Sequence, residues 1–446
     1  MNRIPYPRLL RATMISFVIA CAWVSPVQGG VVNRNGTGAR SVGMGGADLT
    51  SEGNPMAAIG HNPALLSTVE TPRLTLSAMG ALGSGDYRNK RGENFSFDQS
   101  GAFPEAALAF PIGDSPVSLG LGVNVVAARE VDWIYRDIAG GVDGGTSYGV
   151  LEHSSRFLMA RAAAAFSYAI NDELSLGVSG GLVYEEFQLQ APFIFQSNPI
   201  LKGFKTALDL DTDGYSANAD AGLLYRPTDR LTLGLTYRSP TSITSKGRAD
   251  GTLDAQLQSI GAAGFDPGVH YDAEVKTAFP QAVAGGIALQ VTDRMLLAGQ
   301  IEWVNWSDAY DTLDITLRNG TNSDLQSLAG KEIRDSVPLH WNDQFVFRGG
   351  MEFDVNEALK LRAGYSYGAS PMPDSLVTPV NAAISEHLVS AGIGYRVGRC
   401  LIDLGYQYEL PRSVETGHSG YQAGEYSDSR SKISSHWLSL GVTYEF

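Results

Sequence analysis

The chain ends His436-Trp437-Leu438-Ser439-Leu440-Gly441-Val442-Thr443-Tyr444-Glu445-Phe446. Counting in twos from Phe446 toward the N-terminus gives Tyr444, Val442, Leu440 and Leu438, with Glu445, Thr443, Gly441 and Ser439 between them. Side chains of a strand alternate between its faces, so one face here is apolar and the other polar or small. The apolar face finishes in aromatics. That pattern predicts the closing strand of an outer-membrane β-barrel, with lipid outside, a polar lumen inside and an aromatic girdle at the interface. The edge strand of a soluble sandwich can alternate in the same way, so the rest of the chain has to decide.

The same alternation recurs from about Arg73 onward. Val117, Leu119, Leu121, Val123 and Val125 interleave with Ser118, Gly120, Gly122 and Asn124. Comparable runs start at Leu231, Leu359 and Val389. About fourteen strands can be counted, an even number suited to a closed antiparallel barrel. Short connections such as Asn171-Asp172-Glu173 and Thr292-Asp293 alternate with long ones near 83–101, 131–153, 189–213, 247–273, 311–341, 369–386 and 411–430. Turns on one side and loops on the other are the asymmetry of outer-membrane barrels, and a sandwich has no reason to sort its loops this way.

Composition agrees. The chain has 446 residues, 51 of them Gly, and is 18% charged with a net charge of -14. Its mean hydropathy is close to zero, as expected when lipid-facing and lumen-facing residues average out. The negative charge argues against a nucleic-acid surface. No segment beyond the N-terminus approaches eighteen uninterrupted apolar residues, which argues against a helical membrane protein. Arg3, Arg8 and Arg11, the short apolar core Ala12 to Val24 and the small residues near Gly29 predict a secretory signal over residues 1–29. Cys21 lies in that core, either as an ordinary core residue or in a loose lipobox. Cys400 then stands alone, so no disulfide framework is expected.

Residues 30–71 lack the alternation. They are rich in Gly and carry apolar Val42, Met44, Leu49, Met56, Ile59, Leu65 and Leu66, too many for a disordered tail. A plug in the lumen of a barrel formed by residues 72–446 is the expectation.

Gly36-Thr37-Gly38-Ala39-Arg40-Ser41-Val42-Gly43-Met44-Gly45-Gly46-Ala47 followed by Asn62-Pro63-Ala64-Leu65 resembles the hatch segment of FadL/TodX-type outer-membrane transporters. Further matches are Tyr237-Arg238-Ser239-Pro240, Phe279-Pro280-Gln281, Trp303-Val304-Asn305-Trp306-Ser307, Trp341-Asn342-Asp343 and Leu361-Arg362-Ala363-Gly364-Tyr365. The resemblance implies a fourteen-stranded barrel with an N-terminal hatch. It implies passive uptake of long-chain fatty acids, or alternatively of aromatic or aliphatic hydrocarbons, by loop capture, lumenal binding and sideways exit into the bilayer. Exit would pass a kink in the third strand, Val117 to Glu130, where Gly120, Gly122 and Asn124 either permit the kink or are ordinary lumenal packing. The resemblance also places Asn62, Pro63 and Ala64 where the hatch meets that strand.

For loop capture, Phe193, Ile194, Phe195, Ile200, Leu201 and Phe204 in one long loop and Leu253, Leu257 and Ile260 in another are candidates for an outer groove. The other reading is that they pack on one another. A buried ligand carboxylate would need a cation, and the lumen-phase candidates are Arg161, Arg238, Arg348, Arg362 and Lys276. These can equally serve structural ladders with Glu302, Glu352 and Asp403. The seven His have no metal-ligand spacing and no nucleophile elbow is present, so neither an enzyme nor a metal or cofactor is expected. The expected partners are a fatty acid or other hydrophobic small molecule, outer-membrane lipid and lipopolysaccharide, and the barrel assembly machinery, with the chain as a monomer. A diffusion porin or a surface adhesin is the reading from another class; a porin should lack both the plug and the apolar loops.

Overall fold

The computed structural model describes residues 36–262 and 264–446. The signal expected over residues 1–29, Cys21 within it, and the first residues of the plug segment lie outside them. Among the described residues eighteen strands form one closed antiparallel sheet. They are β1 (Arg73–Arg88), β2 (Asn94–Pro111), β3 (Val117–Arg136), β4 (Val150–Ala169), β5 (Leu174–Ile194), β6 (Lys205–Thr228), β7 (Leu231–Arg238), β8 (Thr241–Thr252) and β9 (Gly268–Phe279). They continue with β10 (Ala282–Thr292), β11 (Met295–Val304), β12 (Thr312–Arg318), β13 (Ile333–Pro338), β14 (Gln344–Asp354), β15 (Leu359–Gly368), β16 (His387–Val397), β17 (Cys400–Thr416) and β18 (Ser429–Glu445). Four staves are interrupted: β7/β8, β9/β10, β11/β12 and β13/β14 each carry one stave in two pieces. The barrel therefore has fourteen staves, closed by β1 against β18 from Arg73↔Glu445 to Arg88↔Arg430.

The interruptions have local causes. Pro240 and Pro280 lack the N–H that a ladder needs. Their partners across the sheet break at the same level, at Asn305 to Asp311 and Leu339 to Asp343. Inside this waist Phe279, Val304, Trp306, Trp341 and Met372 form one buried cluster, with Trp306 and Trp341 rings 5.0 Å apart.

Alternation sorts the two faces of the sheet. On β18, Leu438, Leu440, Val442 and Tyr444 are exposed where lipid would lie, as is Phe446 just beyond, while Trp437, Ser439 and Thr443 are buried inward. Above the waist the rule inverts. Val269, Tyr271, Ala273 and Val275 of β9 point inward and are buried, while His270, Asp272 and Lys276 are exposed. There the outer face meets water and the apolar residues turn to the interior. Strands also reach much further than the long-loop reading allowed. Most of 83–101 and much of 189–213 and 247–273 are ladder, not loop.

The plug segment fills the lower lumen. It contains α1 (Gly38–Gly43), α2 (Pro55–Gly60, capped by the Asn54 side chain) and a 3₁₀ turn over Pro63–Thr68. Its backbone approaches the wall through glycine windows. A β-carbon at Gly364 would strike Met44 and Gly45, one at Gly405 would strike Ala39, and one at Gly177 would strike Pro63 and Ala64.

Candidate functional site

The wall is discontinuous between β2 and β3. β1 pairs with β2 along Asn94 to Ala109. β2 pairs with β3 only from Ala106↔Val123 to Pro111↔Ser118. Beyond Val123, β3 stays paired with β4 up to Arg136, with an irregularity between Val125 and Ala127. The upper edges of β2 and β3 thus face each other with no backbone ladder. Just inside this seam lies an apolar cluster of Val42, Met79, Phe103, Val125, Ala128 and Leu158. Asn124 Oδ1, on β3 beside the break, is buried without a hydrogen-bond donor among the described residues.

Gly120 and Gly122 sit on the paired part of β3, below the break. β-Carbons there would meet Ile59 and Leu66 of the plug, so their bareness makes room for those side chains. Asn62-Pro63-Ala64 is placed elsewhere than the sequence reading had it. Asn62 is fully buried and donates to the Leu49 carbonyl at 3.0 Å and to the Leu223 carbonyl of β6 at 3.3 Å, while its Oδ1 accepts from Ala64 N at 3.1 Å. Pro63 and Ala64 lie against Gly177 of β5, and Asn62 and Pro63 against Gly222 of β6. The motif therefore docks on β5 and β6, and the plug side chains nearest the β3 glycines are Ile59 and Leu66.

Above the waist is a cavity of about 210 Å³. Phe187, Phe193, Tyr310, Leu313, Leu339 and Trp341 give it an apolar wall, with Gln196, Asn381 and Glu425 toward the outer end. Of the outer-groove candidates, Phe193 and Ile194 line this cavity. Phe195, Leu201, Leu253 and Leu257 are buried in a second cluster under the loops, where Phe204 packs against them. Ile200 and Ile260 are exposed. The two loops thus meet in one packed body, and only Phe193 and Ile194 of that set line the cavity.

A buried clasp ties three outer segments over the cavity. Lys205 Nζ is wholly buried and lies 2.6 Å from Asp137 Oδ1, 2.9 Å from Glu425 Oε2 and 2.6 Å from the Ile138 carbonyl. Burial raises the Asp137 and Glu425 carboxyls above the ordinary range, and Lys205 opposes that rise.

Below the cavity the lumen is polar and bonded. Arg161 reaches Asp220 at 2.7 Å and the Ile59 carbonyl of the plug at 3.0 Å. Arg238 stands 3.5 Å from Asp220 and donates to the Gly60 carbonyl at 3.3 Å. Arg348 pairs with Glu302 at 2.7 Å. Arg362 bridges Glu352 at 2.7 Å and Asp403 at 2.6 Å, and Arg40 of the plug joins at Glu352. These four barrel arginines are each held by a carboxylate of the barrel. Lys276, the fifth candidate, is exposed on the outside of β9 and does not belong to the lumen, because its strand lies in the inverted region above the waist.

Sequence reasoning missed Arg129. It is the only cation lining the cavity among the described residues. From Val117 to Val125 the odd positions of β3 read as lipid-facing, which would put Arg129 outside. The irregularity at Val126 shifts the phase by one, so that Val131, Trp133 and Tyr135 are buried and Arg129 turns inward.

A closed fourteen-stave barrel with apolar outer wall, filled lumen and a ladder break beside an internal cavity defines a plugged transport barrel of the bacterial outer membrane. The chain belongs to the outer membrane protein transport protein family (OMPP1/FadL/TodX), whose model matches residues 18–446. It is similar in structure to a FadL homologue of Pseudomonas aeruginosa, at TM-score 0.71 and 19% identity over 95% of this chain and 100% of that one. It is also similar to the toluene transporter TodX of Pseudomonas putida, at TM-score 0.71 and 22% identity over 92% of this chain and 99% of that one. These two likenesses show the fold. Among curated proteins it is 23% identical over 276 residues to NMB0088 of Neisseria meningitidis serogroup B, a match that spans 58% of each chain.

Proposed function

We propose that the protein takes up hydrophobic small molecules passively, long-chain fatty acids first among them. They enter among the outer loops, rest in the cavity above the waist and leave sideways into the bilayer between β2 and β3. The observation that carries this reading is the ladder break above Ala106↔Val123, set beside an apolar cluster and above a polar, plugged floor. An alkyl chain gains about 0.8 kcal/mol for each CH₂ removed from water. Passing through the charged network below would forfeit that gain and require buried ion pairs to part. The seam, lined on its inner side by Phe103, Val125 and Ala128, is the proposed way out to lipid. Aromatic or aliphatic hydrocarbons are the second reading, favoured by the aromatic lining of Phe187, Phe193, Tyr310 and Trp341.

The test is a reversible staple. Gln99 and Glu130 face each other across the seam, their side chains within hydrogen-bonding reach. Cysteines at both positions should form a disulfide that keeps the strands from parting. Cells lacking their own transporter and carrying the Gln99→Cys/Glu130→Cys double variant should lose uptake of labelled oleate, or of toluene, and regain it with reductant. Uptake indifferent to the staple would reject the lateral route.

A further inference from the structure

Glu185 of β5 is a wholly buried acid that the uptake reading does not use. It lies two residues outward from Val183 on the inward face, just as Ser245 does from Ile243 and Thr277 from Phe279, and those three apolar residues belong to the waist cluster. The partners of Glu185 are hydroxyls. Ser245 Oγ donates to its Oε1 at 2.8 Å, and Thr277 Oγ1 lies 2.8 Å from Oε1 and 2.6 Å from Oε2. Glu302, Glu352, Asp220 and Asp403 are each held by an arginine, whereas Glu185 is held by no cation among the described residues. A carboxyl in an apolar waist is costly, and a leucine would fill the same space without that cost, so packing does not account for it. Thr277 connects this acid to the cavity. It lines the foot of the cavity together with Tyr310 and Trp341. A threonine hydroxyl has one proton, and here it is committed to Glu185, so Thr277 turns a lone pair toward the cavity. The complement of a lone acceptor in an apolar wall is a ligand O–H.

We propose that Thr277, oriented by Glu185, is a hydroxyl-recognition site at the foot of the cavity, and that it favours apolar ligands carrying an alcohol or phenol O–H over ethers and hydrocarbons of the same shape. This rests on the uptake reading above and deepens it by adding a substrate class. Thr277 is the residue that touches the ligand. Glu185 is a positioning residue, because it fixes where the Thr277 proton points, and Ser245 keeps the carboxyl from turning away. The site reads donors only. An ether oxygen or a carbonyl brought to the same place would set acceptor against acceptor, and a hydrocarbon would leave Thr277 unpaired. The bound ligand would lie with its hydroxyl at the foot and its apolar body along Phe187 and Phe193.

The experiment uses the full protein in mild detergent and a pair of probes, 11,12-dibromododecan-1-ol and its methyl ether. Bromines quench tryptophan emission at close range, and Trp341 lines the cavity. The quantity read is the ratio of the two dissociation constants, ether over alcohol, and comparing it between variants cancels the different partitioning of the probes into detergent. Thr277→Val, which keeps the shape and removes the acceptor, should lower that ratio about tenfold from the wild-type value. Thr277→Ser should preserve it. Glu185→Gln should lower it part of the way, since an amide no longer commits the Thr277 proton as a carboxyl does. Heat-modifiable gel migration verifies that each variant is folded. A ratio unchanged in Thr277→Val, with both probes still bound, would overturn the hydroxyl site and leave hydrophobic uptake intact. A ratio unchanged in Glu185→Gln would overturn the positioning role of the acid. Failure of the wild type to bind either probe would sink the uptake reading and the hydroxyl site with it.

Discussion

Asn62 shows how much a single side chain holds in the plug. It is fully buried and bonds Leu49 and Ala64 within the plug and Leu223 on the wall. Replacing it by Ala leaves those backbone groups without a partner, at about 1–3 kcal/mol for a buried group. The expected outcome for Asn62→Ala is a barrel that still migrates as a folded species before boiling, with a plug that a thiol reagent reaches faster at a cysteine placed at Thr50. Unchanged labelling would mean the motif contributes little to seating. The neighbouring glycines make a second test. Gly222→Leu would drive a side chain into Asn62 and Pro63 and should loosen the plug more than Asn62→Ala does. Residue-scale chemistry was only partly legible beforehand. The acids that pair with Arg348 and Arg362 could be named from alternation, because those strands run in regular phase. Arg129 could not, because one extra residue at Val126 inverts the faces, and nothing local in Val125-Val126-Ala127-Ala128 marks it. Lys276 failed for a related reason: polarity, not phase, reverses above the waist.

At the scale of elements, the clasp of Lys205, Asp137 and Glu425 sets two acids against one cation out of contact with water. Burial raises both carboxyls, and Lys205 pulls them back down. A raised folded-state pKa means that the folded clasp favours the protonated acid more than the unfolded chain does. Its stability should therefore increase as the pH falls from neutral through those raised values and level off below the unfolded carboxylate range. Amide exchange in residues 137–149, corrected for intrinsic rate, should slow as the pH falls from neutral through those raised values. Lys205→Met leaves both acids unpaired and should loosen these loops at neutral pH by about 3–5 kcal/mol, with recovery on acidification. Exchange that quickens with acid in the wild type would show that Lys205 outweighs burial. The motifs Tyr237-Arg238-Ser239-Pro240 and Phe279-Pro280-Gln281 were legible as markers, and the structure places them where staves break at the waist. What they do there was not legible, since a proline announces a missing donor but not the cluster that fills the bend.

For the whole molecule, the alternating face that ends in Phe446 was enough to read a barrel, because lipid outside and polar lumen inside impose period two on every stave. The closure of the pore was less visible, since it depends on glycine windows that admit the plug from many strands at once. Gly177, Gly222, Gly364 and Gly405 look in sequence like ordinary small lumenal positions. Together with the paired arginines they leave the lower lumen filled and its charges satisfied, which sets an expectation for conductance. In a planar bilayer the protein should be electrically silent, because an ion would have to displace either the plug backbone or the buried pairs Arg161–Asp220, Arg348–Glu302 and Arg362–Asp403. Deleting residues 36–69 should open steady steps of conductance while the barrel remains heat-modifiable, since β1 to β18 close on one another without help from the plug. Large steady conductance in the intact protein would instead favour a diffusion porin. Silence in both forms would mean that the outer loops, tied down by the Lys205 clasp, close the barrel on their own, and Lys205→Met combined with the deletion should then open it.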